Sequence, residues 1–149
     1  MFQQICKYDR KGKSYVVATS DDQSFAFPSG PDGKRDAFQF WVGYEFPTMK
    51  SKIDLISDRF PHAERIAWKA AEIVISGKVS LDSRPGVAAM VDSASDPYGR
   101  YAVMSDEGYL TCNCGMFEEH YPQYIENKKG EPVQVCKHVL AVWFKQLTK

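Results

Sequence analysis

Apolar and polar positions change rhythm several times along this chain, and each change predicts an element. After the turn-like Asp9-Arg10-Lys11-Gly12, the β-branched run Ser14-Tyr15-Val16-Val17-Ala18-Thr19 predicts a strand. Phe25 and Phe27 alternate with smaller residues until Pro28-Ser29-Gly30-Pro31-Asp32-Gly33 breaks the pattern. From Phe38 to Phe46 the period is two: Phe38, Phe40, Val42, Tyr44 and Phe46 fall on one face, with Gln39, Gly43 and Glu45 on the other. That alternation predicts another strand, with Trp41 as the exception. Residues 1–46 therefore read as antiparallel β-structure whose aromatics fill a small sheet core; base stacking is the competing use of the same rings.

Pro47 opens a helical pattern in which Ile53, Ile56 and Phe60 recur at helical spacing. Pro61 ends it and starts another, with Ile66, Ala67, Ala70, Ile73 and Val74 as the apolar stripe and Gly77 as the C-terminal cap. Short strands are expected at 79–81, 87–91, 101–104 and 109–112, separated by Ser83-Arg84-Pro85-Gly86, the segment 93–99 and Asp106-Glu107-Gly108. Gly115 to Val135 reads as a long loop. A last helix begins near Lys137, with Leu140, Trp143, Phe144 and Leu147 as its buried side. The fold class is α+β: a β-rich N-terminal region, then helices and a small antiparallel sheet with a C-terminal helix. The expected organisation is an aromatic region over 1–60 and a second module over 61–149.

At 149 residues, 44% hydrophobic and 26% charged, the composition is that of a soluble globular protein. No apolar run approaches the roughly 20 residues that cross a bilayer. The opening MFQQICKYDRKGK lacks the apolar core of a secretory leader, so an intracellular protein, cytoplasmic or nuclear, with reduced cysteines is expected. Charge is balanced at 19 basic against 19 acidic residues. Residues 1–60 carry 9 and 8, and residues 61–149 carry 10 and 11, so neither half is a basic domain. A protein that grips nucleic acid mainly through phosphates needs a basic excess, and this balance counts against that mode.

Chemistry concentrates near the C-terminus. Cys112 and Cys114 are spaced Cys-x-Cys; 21 residues later Cys136 and His138 are spaced Cys-x-His. On a strand, residues two apart present their side chains to one face, so two sulfurs can converge. Mid-helix, residues two apart diverge by about 200°. Cys136 and His138 can therefore share a site only if Cys136 precedes the helix and His138 lies in its first turn. A strand end and a helix start then build a closed tetrahedral Cys3His pocket for one structural zinc ion. Such a site carries one net negative charge when three thiolates and a neutral imidazole surround a dication. Cys6, His62 and His120 read as ordinary packing or hydrogen-bonded residues, and His120 is left out of the ligand set.

The pair Cys112-Asn113-Cys114 and Cys136-Lys137-His138-Val139-Leu140-Ala141 resembles the SWIM zinc finger, with Cys-x-Cys, a variable gap, Cys-x-His and an apolar helix carrying Ala three residues after the His. The approach through Ile75-Ser76-Gly77-Lys78-Val79 and Tyr101-Ala102-Val103 is also similar. The likeness covers about residues 62–147, and its gap is at the longer end. It implies a zinc-bearing strand–strand–helix module that binds DNA or protein. Residues 1–60 carry no such resemblance.

Three functions compete. A nucleic-acid module would use Lys128, Lys129, Lys137 and Lys145 near the site, with Arg65, Lys69 and Lys78 on the preceding helix and turn; Glu118, Glu119, Glu126 and Glu131 offset them. A protein–protein adaptor would use the aromatic loop of Phe117, Tyr121, Tyr124 and Ile125. A zinc deaminase would use His62-Ala63-Glu64, but such enzymes need two further thiolates from Pro-Cys-x-x-Cys, which this sequence lacks. The expectation is a non-enzymatic protein, accessory to a nucleic-acid process directly or through a partner, with no membrane span and no small-molecule substrate.

Overall fold

The computed structural model describes residues 6–82, 84–93, 96, 98–115 and 123–147. It comprises two compact units, Met1–Ser51 and Lys52–Lys149. The division falls within a helix and upstream of residue 60, where the sequence pattern placed it.

In the first unit, β1 (Cys6–Asp9), β2 (Ser14–Ala18) and β3 (Ser24–Pro28) form an antiparallel meander in that order. Tyr15 faces Phe27 and Val17 faces Phe25 across β2 and β3. The next element is the helix α1 (Pro31–Glu45), not the strand expected over Phe38–Phe46. The alternation there is a coincidence of dense aromatics: Ala37, Phe40, Trp41 and Tyr44 also fit the helical period of three and four. Pro31 at the first helical position and Asp32 in the first turn are the start signals that decide it. Phe40 and Tyr44, one turn apart, meet β3 directly. Phe40 lies 4.6 Å from Phe25 and 5.4 Å from Phe27, and Tyr44 lies 5.8 Å from Phe25, all with tilted rings. Beneath them Val17 and Ala37 are fully buried, with Tyr15, Phe27 and Trp41 packed around them.

Gly33 explains how closely α1 approaches the sheet. A Cβ there would lie 1.5 Å from the carbonyl oxygen of Pro28, so only glycine fits. At the other end of α1, Glu45 accepts hydrogen bonds from the Ser20 amide (2.6 Å) and hydroxyl (2.8 Å). Tyr44 and Thr19 both donate to Asp21, and these bonds, Thr19's first, hold its carboxyl below the usual value of 3.8.

The second unit begins within α2 (Pro47–Arg59), followed by a 3-10 turn (Pro61–Ala63) and α3 (Glu64–Ile75). Helix α3 buries Ile66, Ala67, Ala70, Ala71, Ile73 and Val74, the expected stripe plus one alanine. It ends in a paired cap: the Gly77 amide donates to the Val74 carbonyl (3.0 Å) and the Lys78 amide to that of Ile73 (3.2 Å). Gly77 takes φ +72°, as this cap requires.

Four strands follow as an antiparallel meander in chain order: β4 (Val79–Leu81), β5 (Val87–Asp92), β6 (Arg100–Asp106) and β7 (Tyr109–Cys112). Glu107 and Gly108, both at positive φ, close the two-residue turn between β6 and β7. The final helix, α4 (Lys137–Leu147), packs against α3 and also across the sheet. It is covered on more than one side, so its buried set is wider than expected. Val139, Leu140, Ala141, Val142 and Phe144 are buried, whereas Trp143 is half-buried and Leu147 is exposed.

The segment between Gly115 and Val135 is not all loop. Strands β8 (Gln123–Glu126) and β9 (Pro132–Val135) form a hairpin, with Gln123 opposite Val135 and Glu126 opposite Pro132. Asn127 organises its turn: the side-chain oxygen accepts from the amides of Lys129 (2.9 Å) and Glu131 (3.0 Å). Ile125, Val133 and Val135 face inward and are buried. His120 and Tyr121 lie outside the described residues, as does the side chain of Cys6.

Candidate metal centre

The β6–β7 ladder delivers the first pair of ligands. Cys112 is the last residue of β7 and lies opposite Val103. One residue on, Asn113 continues the ladder with its side chain: its Oδ1 accepts from the Ala102 amide at 3.0 Å, while its own amide reaches the Ala102 carbonyl at 3.4 Å. The chain can thus bend at Cys114 while Asn113 stays fastened to β6, and both sulfurs point inward and are buried.

The hairpin delivers the second pair. Strand β9 ends at Val135, which is 1% exposed; Cys136 follows, and α4 begins at Lys137. Cys136 therefore precedes the helix and His138 occupies its first turn, the arrangement its spacing requires. The Cys136 carbonyl accepts the Leu140 amide at 3.1 Å, and its Sγ receives the Val139 amide at 3.5 Å. That second contact places an N–H of the first helical turn against a sulfur, favourable for a thiolate.

One atom from each of Cys112, Cys114, Cys136 and His138 lies within 4.8 Å of the other three, and all four residues are buried. His138 turns Nδ1 toward the sulfurs, 3.7 Å from Cys112 Sγ and 3.9 Å from Cys136 Sγ. A tetrahedral ion with bonds of about 2.3 Å to sulfur and 2.0–2.1 Å to nitrogen sets those edges near 3.6 Å. The residues fit a single ion with little adjustment. The three cysteines form no disulfide. Tyr101 from β6 stacks on the His138 ring at 4.4 Å and 27°, fixing its plane. Asn113 and Tyr101 are supporting residues that ligand spacing alone does not reveal; the residue between two cysteines and an aromatic on the adjacent strand are the only hints.

Without an ion the Cys112 and Cys136 thiols hold their protons. Hydrogen bonding to Cys114, then to Cys136, together with burial drives the Cys112 thiol far above its ordinary range. For Cys136 the bond from Cys112 pulls downward, but Cys114 and burial outweigh it, and the thiol is pushed up to about 11. Three thiolates so close in a buried pocket would repel strongly; a cation resolves this by replacing the protons.

His62 is not among the ligands. It is exposed on the 3-10 turn, and its Nε2 lies 2.8 Å from the Tyr124 carbonyl oxygen. The deaminase arrangement thus lacks its histidine, and His62 is the hydrogen-bonded residue its context suggested.

The remaining candidates are dispersed. Lys128 and Lys129 occupy the β8–β9 turn and share a shallow pocket with Glu107 and Glu131. Lys145 lies in the last turn of α4, and Lys137 lines a separate recess beside α3. Tyr124 is 48% exposed on β8. None of the described helices is long and apolar enough to cross a membrane. No protein-family model, curated protein or solved structure matches the chain.

Proposed function

We propose that this chain is a SWIM-type binding module stabilised by one zinc ion, working inside the cell as an accessory to a nucleic-acid transaction. The convergence of Cys112, Cys114, Cys136 and His138 within 4.8 Å carries the reading. Three sulfurs and one imidazole nitrogen in one buried set suit zinc above the harder divalent ions. Four protein donors leave no open position for substrate or water, which favours a structural role and a non-enzymatic protein. The residues between and around the ligands then present the binding surface.

A second reading, a protein-bridging adaptor without nucleic-acid contact, is favoured by one feature. A groove of about 280 Å³ between α2, β8 and α4 is lined by Leu55, Ile56, Phe60, Ile125 and Trp143. Leu55 is 49% exposed there, and apolar and aromatic residues of this kind anchor interfaces.

The test is metal analysis of the wild type beside Cys114→Ser, followed by oligonucleotide binding at two salt concentrations. The wild type is expected to hold one zinc per chain and the variant to lose both metal and fold. Binding that weakens steeply with salt supports the nucleic-acid role; zinc without any oligonucleotide binding favours the adaptor.

A further inference from the structure

Three lysines distant in sequence meet in one recess of the second unit. Lys69 comes from α3, Lys78 follows its glycine cap, and Lys137 is the first residue of α4; with Glu72, Ile73 and Ser76 they line a cavity of about 190 Å³. The convergence is built by the fold. Lys69, Glu72, Ile73 and Ser76 share one face of α3 at spacings of three and four. The Gly77 cap folds Lys78 back against the end of the same helix, through its amide bond to Ile73. The Cys136–His138 spacing then obliges Lys137 to open α4 beside them.

All three lysines are half-buried, and among the described residues none is ion-paired. The one carboxylate at the recess, Glu72, leaves an excess of two positive charges over the three amines. The ammonium of Lys69 is held below its usual range by burial first, then by Arg65 and Lys137, with Glu72 opposing. Like charges gathered in a concavity raise the free energy of an empty site and lower it once an anion enters.

We infer that the Lys69–Lys78–Lys137 recess is a phosphate-binding site that takes one phosphate of a nucleic-acid backbone. This rests on the nucleic-acid reading above and gives it an address. A compact tetrahedral anion can accept from three amines at once. The site also reconciles phosphate binding with a chain of zero net charge: a few positioned cations do locally what an overall basic excess does elsewhere.

The experiment uses the full zinc-loaded chain and the variant Lys69→Gln/Lys78→Gln, which spares Lys137 beside the ligands. Zinc content is measured in each, then binding of a labelled single-stranded oligonucleotide across a salt series, then binding of inorganic phosphate by amide shifts at Lys69 and Lys78. The expected result is unchanged zinc, oligonucleotide affinity lower by about tenfold or more, and a salt slope smaller by about 0.7, the share of one phosphate on a single strand. Lys69→Arg/Lys78→Arg should retain binding. Equal oligonucleotide binding by the Gln variant overturns the inference, as does loss of zinc, which would make these lysines supports of the metal centre. Phosphate bound and lost in the variant, with no oligonucleotide binding, upholds the anion site but rejects nucleic acid as its source. Binding of neither probe overturns the site while the zinc measurement still decides the metal reading.

Discussion

Met1–Ser51 is held together by rings, and Lys52–Lys149 by buried aliphatic helices and a convergent set of ligands. In the first unit Phe25, Phe27, Phe40 and Tyr44 are only half-buried or exposed, and they work through tilted contacts between one helix and one three-stranded sheet. In the second, α3 and α4 bury continuous apolar stripes, yet the strand and hairpin that flank α4 converge at four ligands. A small unit can gain stability from large aromatic surfaces or from a metal tie. The first unit has the aromatic surfaces and the second has residues placed to hold a metal ion, so the two should respond differently to the same perturbation.

The largest effect is expected from a chelator. Structural zinc supplies on the order of 10–16 kcal/mol apparent in finger peptides, as much as the whole stability of a typical domain, about 5–15 kcal/mol. Stripping the ion should collapse the amide spectrum of α3, α4 and β7 while the contacts between β3 and α1 persist. Simultaneous loss of both sets of signals would end the contrast between the units.

Loading should also release protons. With the Cys136 thiol up at about 11 and the Cys112 thiol also raised, these two groups are protonated at neutral pH before metal enters. Bound metal must expel those protons, so affinity falls as pH falls, by as much as about tenfold per pH unit for each proton displaced. A pH indicator in weakly buffered solution reads the release directly, and a pH-independent affinity would contradict thiolate ligation.

Phe40→Ala tests the other unit. It removes the ring that touches Phe25, Phe27 and Tyr44, and should cost about 2–3 kcal/mol in denaturant unfolding, below the full-burial range because Phe40 is half-buried. Zinc content should not change. The smallest effect belongs to Gly77→Ala, where no atom lies within 4 Å of an added Cβ and only the φ of +72° opposes it; about 1 kcal/mol of destabilisation is expected by thermal unfolding.

The ligand set was legible because its constraints are local. Spacing alone required a strand end, a helix start and Cys136 outside the helix, and β7 and α4 supply them. The strands β4 to β7 were legible for a similar reason: short β-branched runs are separated by strong turn residues. The strand expected over Phe38–Phe46 failed because five aromatics in nine residues satisfy two periods at once, and the helix signals at Pro31 and Asp32 lay within a stretch that also reads as a break. The β8–β9 hairpin was hidden by its setting. Its strands flank the polar run Glu126–Glu131, which reads as loop, and their alternation becomes meaningful only once Ile125, Val133 and Val135 are seen on one buried face. The lysine recess could not be read at all, since nothing in the sequence says that positions 69, 78 and 137 are neighbours.

The hairpin also sets a rule for how the spacer between the two ligand pairs can evolve. Growth at the Asn127–Gly130 tip by matched pairs of residues would leave Val133, Val135 and hence Cys136 where they are, because strand side chains repeat every second position. A single extra residue in β9 instead inverts that strand: its valines turn to solvent, and the thiol beyond them leaves the pocket. Variation in spacer length should therefore be tolerated by parity as much as by size.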